Sequence, residues 1–290
     1  MKKIAFYPGC IMQTEQYAYE LSLREILPKF DIDLVDLKGF SCCGEPLKNV
    51  NQMLTLSLAA RNIALAEKED LDLFVPCPMC HLAMTECKHI LNNDQEMKDR
   101  INTFLKDENL NYHGTTTLIS ILDIFHDVIG LKKLKETIKK PLTDLRFAAH
   151  YGCHLIRPQE IGRPDDAEHP QKIEQILTIL GITPEEYPEK LDCCGALLNA
   201  NLPESALTKT GQKLQKIQDY GFDGFVDVCP WCHRQYDARQ NKAGETVATK
   251  LNVPVFYLTQ LIGLALGLDE EKLGLHLNLS PIETITLRGD

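Results

Sequence analysis

Short apolar runs recur along this chain between longer stretches whose apolar residues step by three and four. Lys3-Ile4-Ala5-Phe6-Tyr7 reads as a buried strand, and Pro8-Gly9 turns the chain so that Cys10 opens a helix over about 12–28. Asp31 to Val35 alternates like a second strand. Met53, Leu56, Ala60 and Ile63 stripe a helix over about 47–67. Leu71 to Val75 is a short strand ending at Pro76-Cys77-Pro78-Met79-Cys80-His81, with another helix beyond. The middle of the chain, roughly 94–139, reads as helical and increasingly basic, and Lys139-Lys140-Pro141 marks the boundary.

The plan then repeats. Leu145 to Tyr151 is a strand, Gly152-Cys153-His154 a turn, and Ile173, Ile176, Leu177 and Leu180 stripe a helix. A helix over about 203–219 precedes the strand Phe225 to Val228 and its Cys229-Pro230-Trp231-Cys232-His233 turn. Val253 to Tyr257 is the last strand, and Leu258, Leu261, Ile262 and Ala265 line the last helix. Alternating strands and helices predict an α/β protein of two repeated domains, 1–140 and 141–290, each a mostly parallel sheet flanked by helices. A repeat of roughly 145 residues is too long for a solenoid unit.

Composition narrows the function classes. A net charge of −10 argues against nucleic-acid binding, which needs a basic footprint. The longest apolar stretch, Tyr257 to Leu268, is interrupted by Thr259, Gln260, Gly263 and Gly267, so no transmembrane segment is expected. Met1-Lys2-Lys3-Ile4 runs straight into a strand with no cleavage pattern behind it, which predicts a cytoplasmic protein. Eleven cysteines in that compartment point to metal or redox chemistry before structural disulfides.

Ten of the eleven form two matched sets. Cys10, Cys42, Cys43, Cys77 and Cys80 are spaced C-x31-CC-x33-C-x2-C; Cys153, Cys193, Cys194, Cys229 and Cys232 are spaced C-x39-CC-x34-C-x2-C. They fall at the carboxyl ends of predicted strands or at helix starts, where open α/β sheets place ligands. Gly44 and Gly195, after each cysteine pair, suit a close backbone approach or a positive-φ turn. A structural zinc takes four ligands, as does an ordinary iron–sulfur cluster, so five thiols per set lean towards an unusual polynuclear iron–sulfur centre. Zinc with one spare thiol stays open; a redox Cys-x-x-Cys explains neither the vicinal pairs nor Cys10 and Cys153. Cys87 has no counterpart and reads as a partly buried free thiol.

Histidines repeat beside the cysteines: His81 after Cys80, His154 after Cys153, His233 after Cys232. Such residues either move protons and bond to sulfur, or cap and pack a helix. His154 is the one expected to carry a proton role. Trp231 is expected to shield its site from water, and the lysines at 132–140 to form a solvated face. Arg157 and Lys48 are candidates for holding anionic groups, beside the plainer reading of surface charges.

The doubled pattern resembles the CCG-domain proteins, most closely the B subunit of heterodisulfide reductase, over nearly the whole chain. The resemblance implies two non-cubane [4Fe-4S] clusters, one on each five-cysteine set, with a small disulfide or thiol substrate handled between them. It implies electrons from a ferredoxin-like iron–sulfur subunit, the C-type partner in that family, with an A-type flavoprotein behind it. Methanogen members of that family carry an Arg-Tyr-Pro-Gly stretch after the first cysteine, whereas this chain reads Ile11-Met12-Gln13-Thr14-Glu15-Gln16-Tyr17. The expected reaction is therefore disulfide chemistry on a substrate left open. The rival expectation is an iron–sulfur electron-transfer subunit of a flavoprotein dehydrogenase of the succinate, glycolate or lactate type.

Overall fold

Ile4, Ala5 and Phe6 have no exposed surface, because strand β1 (Lys2–Phe6) lies inside a sheet covered on both faces. The computed structural model describes residues 1–286. In the first half β1 is followed by helices α1 (Gly9–Met12) and α2 (Tyr17–Ile26), strand β2 (Ile32–Val35), helix α3 (Gln52–Lys68), strand β3 (Leu73–Phe74), helices α4 (Pro78–Asn93) and α5 (Gln95–Leu105), strand β4 (Leu118–Ile119), a π-helical turn (Asp123–Gly130) and α6 (Leu131–Thr137). The second half runs β5 (Arg146–His150), α7 (Cys153–Ile156), α8 (Lys172–Leu180), β6 (Thr183–Pro184), α9 (Pro203–Asp219), β7 (Gly224–Asp227), α10 (Pro230–His233), a π-helical turn (Arg234–Ala238), α11 (Gln240–Thr246), β8 (Val255–Tyr257) and α12 (Leu258–Ala265).

Each half holds one four-stranded sheet, in the orders β2-β1-β3-β4 and β6-β5-β7-β8, with every pair parallel. The two orders are the same, so the repeat of the sequence is a repeat of topology. Among the described residues no helix is long and apolar enough to cross a membrane.

Three expectations change. The helix predicted over 12–28 is two helices, α1 ending at Met12 and α2 starting at Tyr17, and Leu27–Phe30 tightens into a 3-10 turn that Asp31 ends in the left-handed region, φ 60. The stretch 94–139 is not helical throughout: Leu118 and Ile119 pair with Leu73 and Phe74 as the fourth strand. Cys87, expected to be partly buried, is fully so.

The halves share one apolar core. It runs from Phe6 and Phe74 of the first sheet to Phe147, Val226 and Phe256 of the second, through α2 and α12. Leu258, Leu261 and Ile262 of α12 are 0% exposed, and burying each contributes about 1.5–3 kcal/mol over leaving it in water. Ser22 and Thr259 hydroxyls meet at 2.7 Å across this seam, and the rings of Tyr19 and Tyr257 stack 4.3 Å apart. Two further clusters lie around the cysteine sets, and Trp231 packs against both.

Candidate functional site

The ten paired cysteines come to the sites from the same elements twice. Cys10 and Cys153 sit in the first turns after the central strands β1 and β5. Cys77 and Cys229 are N-caps of the helices after β3 and β7, which puts Cys80 and Cys232 in the first helical turn. The Cys-Cys-Gly turns follow β2 and β6 and supply Cys42-Cys43 and Cys193-Cys194. All of these are free thiols; Cys10, Cys42 and Cys193 are exposed.

The structure brings each set together as one network. In the second half Cys153 meets Cys193, Cys193 meets Cys194, Cys194 meets Cys232 at 3.3 Å, and Cys232 meets Cys229. In the first half Cys42 interacts with Cys43, Cys43 with Cys80 and Cys80 with Cys77, and Cys10 feels the charge of Cys77 and Cys43. Hydrogen bonds from Cys42 and Cys80 and the N–H of Glu45 hold Cys43 down at about 4. Cys193 is likewise lowered, by Cys153, Cys194 and the N–H of Gly195, while its neighbours are pushed up. One sulfur of each set is thus surrounded by donors that stabilise a thiolate.

These surroundings fit an iron–sulfur group. Backbone N–H groups of Gly44, Gly195 and Ala196 point at Cys42, Cys193 and Cys194 sulfurs at 3.4, 3.4 and 3.5 Å. Gly9 and Gly152 take φ of +70° and +76°; a Cβ on Gly9 would crowd the Cys80 sulfur at 3.2 Å, and one on Gly152 would touch the Cys232 sulfur at 3.5 Å. Among the described residues no group of three or more His, Cys, Asp or Glu donors is arranged to hold a single metal ion.

The two sites abut. A narrow apolar cavity of about 30 Å³ is lined by Cys153, Cys193, Cys194, Cys229 and Cys232 of the second half and by Pro78 and Met79 of the first. Trp231 walls it, as expected of a shield. The Tyr19 hydroxyl donates to the Val228 carbonyl at 2.8 Å and lies 3.4 Å from that of Pro76, the residues before Cys229 and Cys77.

The histidines separate by environment. His154 Nδ1 lies 3.7 Å from the Cys153 sulfur, and burial lowers its pKa. His81 is buried with Nε2 unpartnered, and burial with the nearby Arg163 lowers it to about 3. Burial also opposes a charge on His233, but Asp227 at 3.2 Å and Asp237 at 3.9 Å outweigh it and raise its pKa. Its ring stacks on Tyr257 at 3.7 Å, so packing and charge both fix it. Lys48 is taken up by Glu86 at 2.5 Å, and Arg157 is exposed, bonded to the Ala167 carbonyl.

Sequence reasoning missed three residues that shape the sites: Tyr19, Asn62 and Lys213. Asn62 on α3 accepts from Ser41 N–H and donates to the Ser41 and Cys42 carbonyls, fixing the first cysteine pair. Lys213 on α9 donates to the Lys190 and Asp192 carbonyls ahead of the second pair. The signal for Lys213 was its place on the stripe Ala206, Thr210, Leu214, Ile217, the buried face of α9.

The family profile of the CCG cysteine-rich domain matches this chain twice, over residues 4–85 and 147–237. The B subunit of the ferredoxin:CoB-CoM heterodisulfide reductase of Methanosarcina mazei is 34% identical over 282 residues, 96% of this chain and 94% of that protein. The 8-methylmenaquinol:fumarate reductase membrane anchor subunit of Wolinella succinogenes is 34% identical over 96% of this chain and 97% of that protein. A hypothetical protein from Helicobacter pylori, solved by crystallography, superposes with a TM-score of 0.77 at 18% identity; this chain spans 52% of it, and the likeness concerns the fold alone. Two matches to the domain and a third of positions shared end to end place the chain: it belongs to the CCG cysteine-rich-domain family, together with the B subunits of heterodisulfide reductases.

Proposed function

We propose that this chain is the disulfide-handling component of a multi-subunit oxidoreductase. In this reading a small disulfide is reductively cleaved, or formed from two thiols, between two non-cubane [4Fe-4S] clusters. Cys10, Cys42, Cys43, Cys77 and Cys80 would hold one cluster; Cys153, Cys193, Cys194, Cys229 and Cys232 would hold the other. The observation that carries the reading is that Pro78 and Met79, from the Cys77–Cys80 turn of the first half, close the cavity lined by the five cysteines of the second. When bound, the clusters supply one-electron storage and thiol affinity.

The chain's own groups do the rest. Tyr19 ties the two strand ends that carry Cys77 and Cys229, which keeps the two sites at one separation, as cleavage across them requires. Met79 and Trp231 exclude water from the cavity. His154, beside Cys153, is the candidate to hold or move a proton at its Nδ1. Val50, Leu197 and Leu202 stay exposed in the segments that follow the Cys-Cys-Gly turns. A ferredoxin-like iron–sulfur protein and a flavoprotein are the partners assigned, the cytoplasm the compartment, and 140/141 the division between the two domains.

The test is iron, sulfide and zinc content of anaerobically purified protein, with EPR spectra before and after adding thiols. Roughly eight irons per chain and a thiol-dependent signal are expected. About two zincs without sulfide would end the reading. The same iron with no response to any thiol would favour a second one, an electron-transfer component, which the 34% identity to the fumarate reductase protein supports.

A further inference from the structure

Arg163 is a cation with two of its nitrogens buried and unmatched. It stands just after the 3-10 turn Gln159–Ile161 of the second half. Its Nη2 donates to the His154 carbonyl at 2.6 Å, while Nε and Nη1 have no hydrogen-bond partner. Nη2 carries two N–H groups and spends one on His154. Whichever edge of the planar fork that bond takes, the other edge keeps a free pair of donors. Burial lowers the group to about 10, which leaves it charged at neutral pH. The two carboxylates within electrostatic reach, Glu86 and Asp123, are engaged elsewhere. Glu86 lies on the Lys48 ammonium at 2.5 Å, and Asp123 accepts from Ser120 N–H at 2.8 Å with Lys172 at 3.9 Å.

Gly162 and Arg163 of the second half line one cleft of about 340 Å³ with His81, Thr85, Lys88 and Asp123 of the first. His81 is only 4% exposed and its Nε2 also lacks a partner; the Leu118 carbonyl lies near the ring without bonding to that atom. The Lys88 ammonium donates to the Thr116 carbonyl at 2.6 Å and has two further N–H groups to offer. Among the described lining residues Asp123 alone is acidic. The cleft shares no lining residue with the cavity at the second cysteine set, but the bond from Arg163 to His154 joins the two. Buried donors left unmet are costly, and a guanidinium edge matches two oxygens of a single anion. We propose that this cleft is an oxyanion site, in which a carboxylate, sulfonate or phosphate group takes the free edge of Arg163, with Lys88 and His81 as its further neighbours. The site does not depend on the reading that the cysteine sets hold clusters.

The experiment is a calorimetric titration of inorganic phosphate into the anaerobically purified protein, at fixed ionic strength with chloride as the background anion. A single site per chain is expected. Arg163→Gln should weaken it at least about tenfold. Asp123→Asn can still accept from Ser120 N–H but removes the opposing charge, and should tighten binding about two- to fivefold. No phosphate binding by the wild type overturns the proposal, as does equal affinity in Arg163→Gln. Should that variant fail to fold, Asp123→Asn decides, and an affinity that stays or falls there overturns the site. Competition against phosphate by 3-mercaptopropionate and by propionate then separates two sources of the oxyanion, either of which sustains the site. Competition about tenfold stronger from the thiol assigns the cleft to the anionic arm of a thiol or disulfide substrate, and equal competition assigns it to a free ion. The heat of phosphate binding needs no iron. A protein that purifies without iron and sulfide would therefore end the functional reading and leave the oxyanion site to the titration.

Discussion

The hydroxyl of Tyr19 lies 2.8 Å from the carbonyl oxygen of Val228, 209 positions away and next to Cys229. The same hydroxyl is 3.4 Å from the carbonyl of Pro76, next to Cys77. One side chain of the first half thus ties the strand ends that present both Cys-x-x-Cys turns, and its ring is held by stacking on Tyr257, with planes 2° apart.

Tyr19→Phe keeps that stack and deletes the tie, leaving a buried carbonyl without its donor. The loss should be about 1–3 kcal/mol, read as a lower Tm of the anaerobic holoprotein. Iron content should stay whole while the thiol-dependent EPR signal weakens. An unchanged Tm and signal would show that the hydroxyl does not couple the sites.

Gly44 and Gly195 hold φ of +89° and +83°, and an added Cβ would meet the Thr55 oxygen at 2.8 Å or the Ala206 oxygen at 3.0 Å. Neither backbone can yield, since each belongs to a long helix. Alanine at either position should cost about 2 kcal/mol or more and lower iron content by about half. Gly162→Ala, with φ +73° and nothing within 4 Å, isolates the backbone strain and should leave iron unchanged. Iron analysis of the three variants checks the contrast.

The parts of the fold legible in the sequence are those with enough residues to show a period. Helix α9 spans Pro203–Asp219, the range its stripe predicts, and the cysteine spacing exposed the repeat before any element was placed. Strands β4 and β6 have two residues each, too few to alternate, and one of the two in β6 is proline. They pair because neighbouring strands offer them an edge, which is tertiary information. Lys213 was passed over because a lysine reads as solvent-facing. Its contacts with Lys190, Asp192 and His150 show it buried on the apolar stripe of α9.

Lys190 anchors the chain just before the second cysteine pair. Its Nζ meets Glu174 at 2.5 Å, Glu186 at 2.8 Å and the Pro170 carbonyl at 2.9 Å, and Glu174 accepts the Tyr151 hydroxyl. Lys190→Met leaves Glu174 buried without its cation, at a cost of about 3–5 kcal/mol. Adding Glu174→Gln should recover part of that. Thermal unfolding of the single and double variants checks the coupling, and additive losses would refute it.

His154→Gln removes the imidazole beside Cys153 while keeping a polar side chain of similar reach. Dye-driven disulfide reduction should fall by about 100-fold, with iron content and the resting EPR spectrum kept. Undiminished turnover would leave His154 a packing residue like His233.

Cys87 separates ligand thiols from bystanders. It lies on α4 about two turns beyond Cys80, is 0% exposed, and offers its S–H to the Leu56 carbonyl at 3.5 Å. Burial pushes this thiol up, so it stays protonated and unavailable to metal. Cys87→Ala should keep full iron and lower Tm modestly, by about 1 kcal/mol of stability. Cys232→Ala deletes the sulfur that meets Cys194 at 3.3 Å and should cost about half the iron. If Cys87→Ala lost iron and Cys232→Ala did not, the five-and-five assignment would be wrong. In that case the repeat in the sequence would be a repeat of fold without a repeat of chemistry.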